Sequence, residues 1–71
     1  MMPLSMVSNG EKMVIKQING KDETRRFLEN LGFVTGGDVI VVSEMCGNMI
    51  VNVKDTRVAI SKSMANRIMV D

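Results

Sequence analysis

The sequence predicts a mainly β fold, a small closed barrel of about five short strands with two helices. The chain has 71 residues, which suits one domain with a thin core. Short β-branched stretches separated by glycine-containing turns recur along it, and only two segments show helical spacing of apolar residues. A closed barrel also removes exposed sheet edges. We therefore expect residues 1–71 to form a single domain.

The first strand is predicted at Lys12–Ile18. This stretch is rich in β-branched residues and lies between Gly10 and Gly20. Its alternation of apolar and polar residues is imperfect, so the pattern does not show which face is buried. An apolar stretch, Leu4–Val7, precedes it and is separated from it by turn residues.

A helix of two to three turns is predicted at Asp22–Leu31. Asp22 is a suitable N-cap residue, and the apolar positions that follow recur at helical spacing. Gly32 comes directly after the last of them and can adopt the left-handed conformation that ends a helix. Phe33 would then fold back against Leu28. Phe27 and Phe33 are the only aromatic residues, and both are predicted to face the core.

The second half of the chain is predicted to hold the remaining strands and one short helix. Apolar residues alternate most clearly at Met49–Lys54, where Met49, Val51 and Val53 share one face. Asp55-Thr56 is predicted as a tight hairpin turn, and Ser61 as the N-cap of the short helix. The predicted elements are strands Val39–Glu44, Met49–Lys54, Arg57–Ile60 and Ile68–Val70, and the helix Lys62–Arg67, which precedes the last strand.

The composition excludes several classes of function. The chain has no histidine and a single cysteine, Cys46, so it cannot form a histidine-based catalytic triad, an intrachain disulfide or a multi-thiolate metal site. No nucleophile–base pair can be assembled, and we expect no enzymatic activity. The longest apolar run, Val39–Val42, is too short to span a bilayer, and the N-terminal residues do not resemble a secretory signal. These features predict a cytoplasmic protein without direct membrane insertion.

Possible metal ligands are scattered along the sequence. The chain contains eight methionines, but thioether sulfur prefers soft metals such as Cu(I) to ferrous iron. Met45 and Met49 flank a turn and suit either core packing or an adaptable binding surface. Cys46 could be a reactive thiol or a metal ligand, but without a histidine or a second cysteine it is interpreted as a small apolar or semi-exposed residue. We predict no cofactor and no tight iron site, because the carboxylates show no metal-loop spacing: Asp22, Glu23, Glu29, Asp38, Glu44 and Asp55.

The densest basic cluster consists of Lys21, Arg25 and Arg26 on the predicted helix. It can be a solvated helix surface, or it can dock on an acidic face of a partner protein. The formal net charge is only +1, and no aromatic residue is spare for base stacking. We therefore predict no nucleic-acid partner, although a small barrel that binds nucleic acid stays open as an alternative hypothesis.

An ordered set of short motifs runs along essentially the whole chain. Pro3-Leu4-Ser5 opens the pattern, and the Arg-rich helix closes in Leu-Glu-Asn-Leu-Gly-Phe at residues 28–33. Gly36 and a Val-rich strand follow, and the pattern ends in Met64-Ala65 and Ile68-Met69-Val70. This order of motifs resembles the ferrous iron transport protein A (FeoA) family. The stretch Glu44–Met49 departs from many members, since it contains the family's glycine without its flanking prolines.

The resemblance implies an SH3-like barrel that assists ferrous iron uptake. Its expected partner is the ferrous iron permease, which carries a cytosolic GTP-binding domain, and its expected role is protein–protein interaction. An alternative hypothesis is a stand-alone relative of the C-terminal SH3-like module of metal-dependent repressors. A monomer is favoured, although the sequence does not fix the oligomeric state. The candidate partner-binding surface comprises Lys21, Arg25, Arg26, Met45, Cys46, Gly47, Asn48 and Met49.

Overall fold

The computed structural model describes residues 1–71 and contains six strands, two α-helices and one short 3-10 helix. The strands are β1 (Met2–Pro3), β2 (Lys12–Ile18), β3 (Asp38–Met45), β4 (Asn48–Val53), β5 (Thr56–Ser61) and β6 (Ile68–Val70). The helices are α1 (Asp22–Leu31), α2 (Lys62–Ala65) and the 3-10 helix Leu4–Met6. The mainly β fold, the helix after the first long strand and the short helix before the last strand are confirmed. Neither α-helix is long and apolar enough to cross a bilayer.

All neighbouring strands are antiparallel, in the order β1-β6-β2-β3-β4-β5. β2 belongs to both halves of the sheet, because Lys12 to Val14 pair with β3 while Ile15 to Ile18 pair with β6. The register shifts between Ile15 and Gln17. This bulge bends β2 from one half of the sheet into the other. It also explains the imperfect alternation, since Ile15 and Ile18 both face the core.

Fifteen buried apolar side chains form one continuous core between the sheet and the helices. Met49, Val51 and Val53 point into it from β4, which confirms the face predicted from their alternation. Phe33 is completely buried, whereas Phe27 is half exposed. The prediction that Phe27 faces the core is therefore wrong. Leu28, one residue later, is the fully buried residue of α1. Phe27 therefore lies at the margin of the buried face of the helix and not at its centre.

The N-terminal strand and the 3-10 helix were not predicted. β1 pairs Met2 with Val70 and Pro3 with Met69, so it depends on β6, which lies at the other end of the sequence. The 3-10 helix buries Leu4 completely. A strand of two residues is too short to show an alternating pattern in the sequence. β1 forms because the tertiary structure brings it beside β6.

Helix α1 ends as predicted but begins differently. Gly32 has φ 112° and ψ 0°, the left-handed conformation, and Phe33 donates its backbone N–H to the carbonyl oxygen of Leu28 at 3.0 Å. The N-cap is Lys21 rather than Asp22, and no side chain caps the helix there. Asp22 lies in the first turn with Glu23, where negative charge stabilises the positive end of the helix dipole.

The hairpin between β4 and β5 turns one residue earlier than predicted. Val53 pairs with Thr56, so Lys54 and Asp55 form the turn, with φ values of 50° and 61°. Two positive φ values are the signature of the hairpin turn that matches strand twist. Thr56 is β-branched and begins β5 instead, which avoids a strained left-handed conformation at that residue.

Helix α2 is shorter than predicted but is capped as expected. The Oγ of Ser61 accepts a hydrogen bond from the backbone N–H of Met64 at 3.2 Å. The helix covers Lys62–Ala65 rather than Lys62–Arg67, and Ala65 is fully buried. This single turn connects β5 to β6 and packs on the 3-10 helix, at one end of the sheet.

Candidate partner-binding surface

The turn between β3 and β4 presents four of the candidate residues on the protein surface. Met45 pairs with Asn48, and Cys46 and Gly47 form a two-residue turn with φ values of 51° and 80°. Met45 is 64% exposed, and Cys46 is exposed with a free thiol. We call Met45 to Asn48 the turn surface. Met49 is only 1% exposed and belongs to the core, so it cannot contribute to a partner-binding surface in the folded protein.

Helix α2 holds this turn in place. The backbone N–H of Lys62 donates a hydrogen bond to the carbonyl oxygen of Gly47 at 3.2 Å. The Nζ of Lys62 also forms an ion pair with Glu44 of β3. The turn surface is therefore attached to the framework by a backbone hydrogen bond and a charged contact.

The second group of candidate residues lies on the exposed side of α1. Lys21, Arg25 and Arg26 are all exposed to solvent or nearly so, as predicted for a basic helix surface. The Nη2 of Arg25 lies 3.5 Å from the Oδ1 of Asp22, one turn earlier in the helix. This contact neutralises part of the patch. Such an exposed pair contributes little to stability.

The two groups are anchored at different places in the fold. The start of α1 lies against Arg67, since a Cβ added to Gly20 would be 3.1 Å from the Nη1 of Arg67. The end of α1 lies against Val53, since a Cβ added to Gly32 would be 3.5 Å from a methyl carbon of Val53. The turn surface is instead held by α2. No hydrogen bond or ion pair joins α1 to the turn surface. The two groups are therefore held by different contacts.

A polar groove that is not predicted from the sequence lies on the outer face of the sheet. The groove encloses about 890 Å³. Lys12, Ile40, Asn52 and Arg57 are successive cross-strand partners on β2, β3, β4 and β5, and they form its floor. The full lining is Lys12, Asp38, Ile40, Asn52, Lys54, Asp55 and Arg57. The alternation in β4 predicts that Asn52 lies on the face opposite the core. The alignment of Asn52 with its cross-strand partners depends on the register of four strands, which cannot be derived from the sequence.

Charges in this groove are unequally paired. The Nζ of Lys12 lies 3.4 Å from the Oδ2 of Asp38, so these two charges largely neutralise each other. Lys54 and Arg57 also line the groove and make no ion pair. Asp55 is the only other charged residue of the lining. The end of the groove at the β4–β5 hairpin therefore has a net positive charge.

Carboxylates and the thiol are not gathered into a metal site. No group of three or more histidine, cysteine, aspartate or glutamate side chains comes together in the fold. Asp22, Asp38 and Glu44 each face a cation, and Asp71 lies near the N-terminal ammonium group. The exposed side chains offer charge, hydrogen bonding and apolar contact.

The fold is that of a small SH3-like domain. The FeoA domain family model matches residues 2–71, and the chain belongs to that family. A curated protein of Methanocaldococcus jannaschii, described as a candidate Fe(2+) transport protein A, is 28% identical over 71 residues, which cover 100% of this chain and 87% of the relative. The resemblance to the FeoA family is thereby confirmed.

Solved structures support the same assignment of fold. The FeoA protein of Stenotrophomonas maltophilia, described as a procaryotic SH3 domain protein and crystallised with zinc, is 31% identical with a TM-score of 0.87. The match covers 100% of this chain and 91% of that protein. A manganese-dependent transcriptional repressor matches with a TM-score of 0.86 and 18% identity, over 96% of this chain and 39% of the repressor. At that identity the likeness shows a shared fold alone.

Proposed function

We propose that this protein is a protein–protein interaction module for the ferrous iron permease that carries a cytosolic GTP-binding domain. One observation carries the proposal, the match of residues 2–71 to a family of ferrous iron transport accessory proteins. The M. jannaschii relative is described as a candidate Fe(2+) transport protein, and the S. maltophilia protein is described as a candidate activating factor of ferrous iron transport.

The surface of the protein supports action through contact. The turn surface presents an exposed methionine and thiol on a fixed backbone, and α1 presents exposed arginines. Exposed charges of this kind steer association and set the orientation of a complex, while adaptable methionine side chains provide contact area. The protein would act on the cytosolic side of the membrane, where the GTP-binding domain of the permease lies.

Ferrous iron uptake by cells tests this proposal. Deleting the gene for this protein should lower the initial rate of anaerobic ferrous iron uptake, and a plasmid copy should restore it. The control is a strain that lacks the permease, in which the plasmid copy should have no effect. Unchanged uptake in the deletion strain, with the permease present and active, would contradict the proposal.

A further inference from the structure

Strand β5 forms a long open edge of the sheet. It pairs with β4 through all six of its residues, and no strand pairs with its other side. At the opposite end of the sheet, β1 is only two residues long and contains Pro3, which has no backbone N–H. The barrel is therefore not fully closed, contrary to the prediction from the sequence, and β5 is an edge long enough to receive another strand.

This edge lacks most of the features that protect exposed strands. The pairing of β4 with β5 continues from Asn48↔Ser61 to Val53↔Thr56 without a register shift, so there is no bulge. β5 contains no proline, and its only charged residue is Arg57. Proteins usually block an open edge with proline, bulges or several charges. A regular, unblocked edge is the geometry that strand addition by a peptide requires.

The hairpin geometry indicates which backbone groups are free. In a two-residue hairpin the residues flanking the turn, Val53 and Thr56, exchange hydrogen bonds, and pairing then alternates along the strands. Val58 and Ile60 consequently bond to β4. Arg57 and Ala59 direct their N–H and C=O groups to the open side, and both residues are exposed. The edge thus offers a regular series of donors and acceptors to an added strand.

Charge at this edge selects an acidic occupant. Arg57 lies on β5 and Lys54 in the adjoining turn, and neither makes an ion pair. Asp55 is the only carboxylate in the turn. Opposite charges on directly facing residues stabilise a strand pair, whereas like charges destabilise it. A second copy of this chain would bring further cations to a cationic edge, so a symmetric dimer is disfavoured.

We propose that the β5 edge binds an extended acidic segment of the permease by strand addition, with a carboxylate of that segment facing Arg57. This inference rests on the proposed function for the identity of the partner. The added strand would bond to the free backbone groups of Arg57 and Ala59, and its acidic side chains would lie beside the positive end of the outer groove.

A synthetic peptide tests the binding mode without the permease. The probe is acetyl-Val-Glu-Val-Glu-Val-Thr-amide, and the control replaces both glutamates with lysine. Titration into the 15N-labelled protein should give saturable NMR shifts centred on the β5 amides, with a dissociation constant below about 1 mM. The lysine peptide should bind about tenfold more weakly or not at all. Shifts located elsewhere, or none at millimolar peptide, would overturn the inference.

Two variants separate strand addition from simple charge attraction. Ala59→Pro removes a backbone N–H that points away from β4, so the barrel keeps its hydrogen bonds while strand addition is lost. Arg57→Glu should reverse the preference between the two peptides. Lys16→Glu is the matched control, because it makes the same charge change at an exposed position on β2 and should bind like the wild type. If Ala59→Pro fails to fold, amide hydrogen exchange of the wild type decides between the two modes. Strand addition should slow exchange at Arg57 and Ala59 when the peptide binds, and unchanged exchange there would overturn the inference.

Capture of the full-length permease separates this inference from the proposed function. The wild-type protein should retain detergent-solubilised permease, and Ala59→Pro and Arg57→Glu should retain it at least about tenfold less well. Equal capture by wild type and both variants would overturn strand addition at β5 and leave the proposed function standing. Peptide binding at β5 without any capture of the permease would contradict the proposed function and the identity of the partner. A β5-mediated dimer in sedimentation would assign the edge to a second copy and overturn the inference.

Discussion

At the scale of single residues, the two phenylalanines show how differently neighbouring positions contribute. Phe33 is completely buried, whereas Phe27 is 50% exposed. In a domain this small the core is thin, so the loss of one large buried side chain removes a considerable part of the stability. The structure therefore predicts opposite sensitivities for two residues of the same type.

Truncation to alanine tests that contrast. Phe33→Ala should lower the free energy of unfolding by about 3–5 kcal/mol, enough to unfold much of the protein. Phe27→Ala should cost about 1 kcal/mol, because about half of its surface is already in water. Urea denaturation followed by circular dichroism measures both changes. Similar losses for the two variants would show that Phe27 is buried in solution.

Gly32 carries the conformation that ends α1. A Cβ at this position would have room, since its nearest neighbour would be a methyl group of Val53 at 3.5 Å. The cost of Gly32→Ala is therefore the left-handed backbone alone, about 1–2 kcal/mol. Gly32→Asn should cost less, because asparagine tolerates this conformation better. Denaturant unfolding of both variants provides the test, and a loss for asparagine as large as for alanine would contradict this explanation.

At the scale of elements, short helices depend on their caps. α2 has a single turn, and a helix of this length does not form without tertiary contacts and capping. Ser61→Ala removes the oxygen that accepts the N–H of Met64 and should cost about 1 kcal/mol. Ser61→Asp should retain most of the stability. Ser8→Ala is the control, because Ser8 is exposed and its side chain makes no hydrogen bond, whereas Ser63 bonds to the Oγ of Ser61. The helix also holds the turn surface, so Ser61→Ala should shift the NMR signals of Cys46 and Gly47. Unchanged signals of Cys46 and Gly47 would show that α2 does not determine the conformation of the turn surface.

The β4–β5 hairpin can be improved, because its turn places two non-glycine residues in the left-handed region. Asp55 has φ 61°, a position where the preferred residue is glycine. Asp55→Gly should raise the free energy of unfolding by up to about 1 kcal/mol. Asp55→Val, a β-branched residue at the same position, should destabilise the hairpin. Thermal unfolding of both variants checks the direction, and a loss of stability in Asp55→Gly would contradict the assigned turn.

Some elements could be predicted from sequence because their information is local. The end of α1 at Gly32, the cap at Ser61 and the alternation in β4 each depend on neighbouring residues, and each is confirmed. β1 and the outer groove depend on pairing between distant segments. Phe27 was misplaced because helical spacing alone does not fix how far the buried stripe extends around a helix. For the same reason the candidate residues could be identified as exposed or buried only in the structure.

At the scale of the whole molecule, the distribution of carboxylates bears on iron itself. They are scattered, and Asp22, Asp38 and Glu44 lie beside cations. We predict that the protein does not bind ferrous iron tightly, since carboxylates without imidazole would hold it weakly. Anaerobic calorimetry measures this directly. A stoichiometric site with a dissociation constant near or below about 1 µM, equivalent to about −8 kcal/mol, would contradict the prediction and direct attention to Cys46.

The central claim is that a rigid SH3-like barrel of the FeoA family acts through contact with the ferrous iron permease. The most direct measurement is titration of the 15N-labelled protein with the full-length permease in lipid nanodiscs. The account predicts saturable loss of amide signals, because the complex tumbles slowly, with no loss when empty nanodiscs are added. A spectrum that stays unchanged at equimolar permease, at tens of micromolar, with the permease shown to hydrolyse GTP, would contradict the claim.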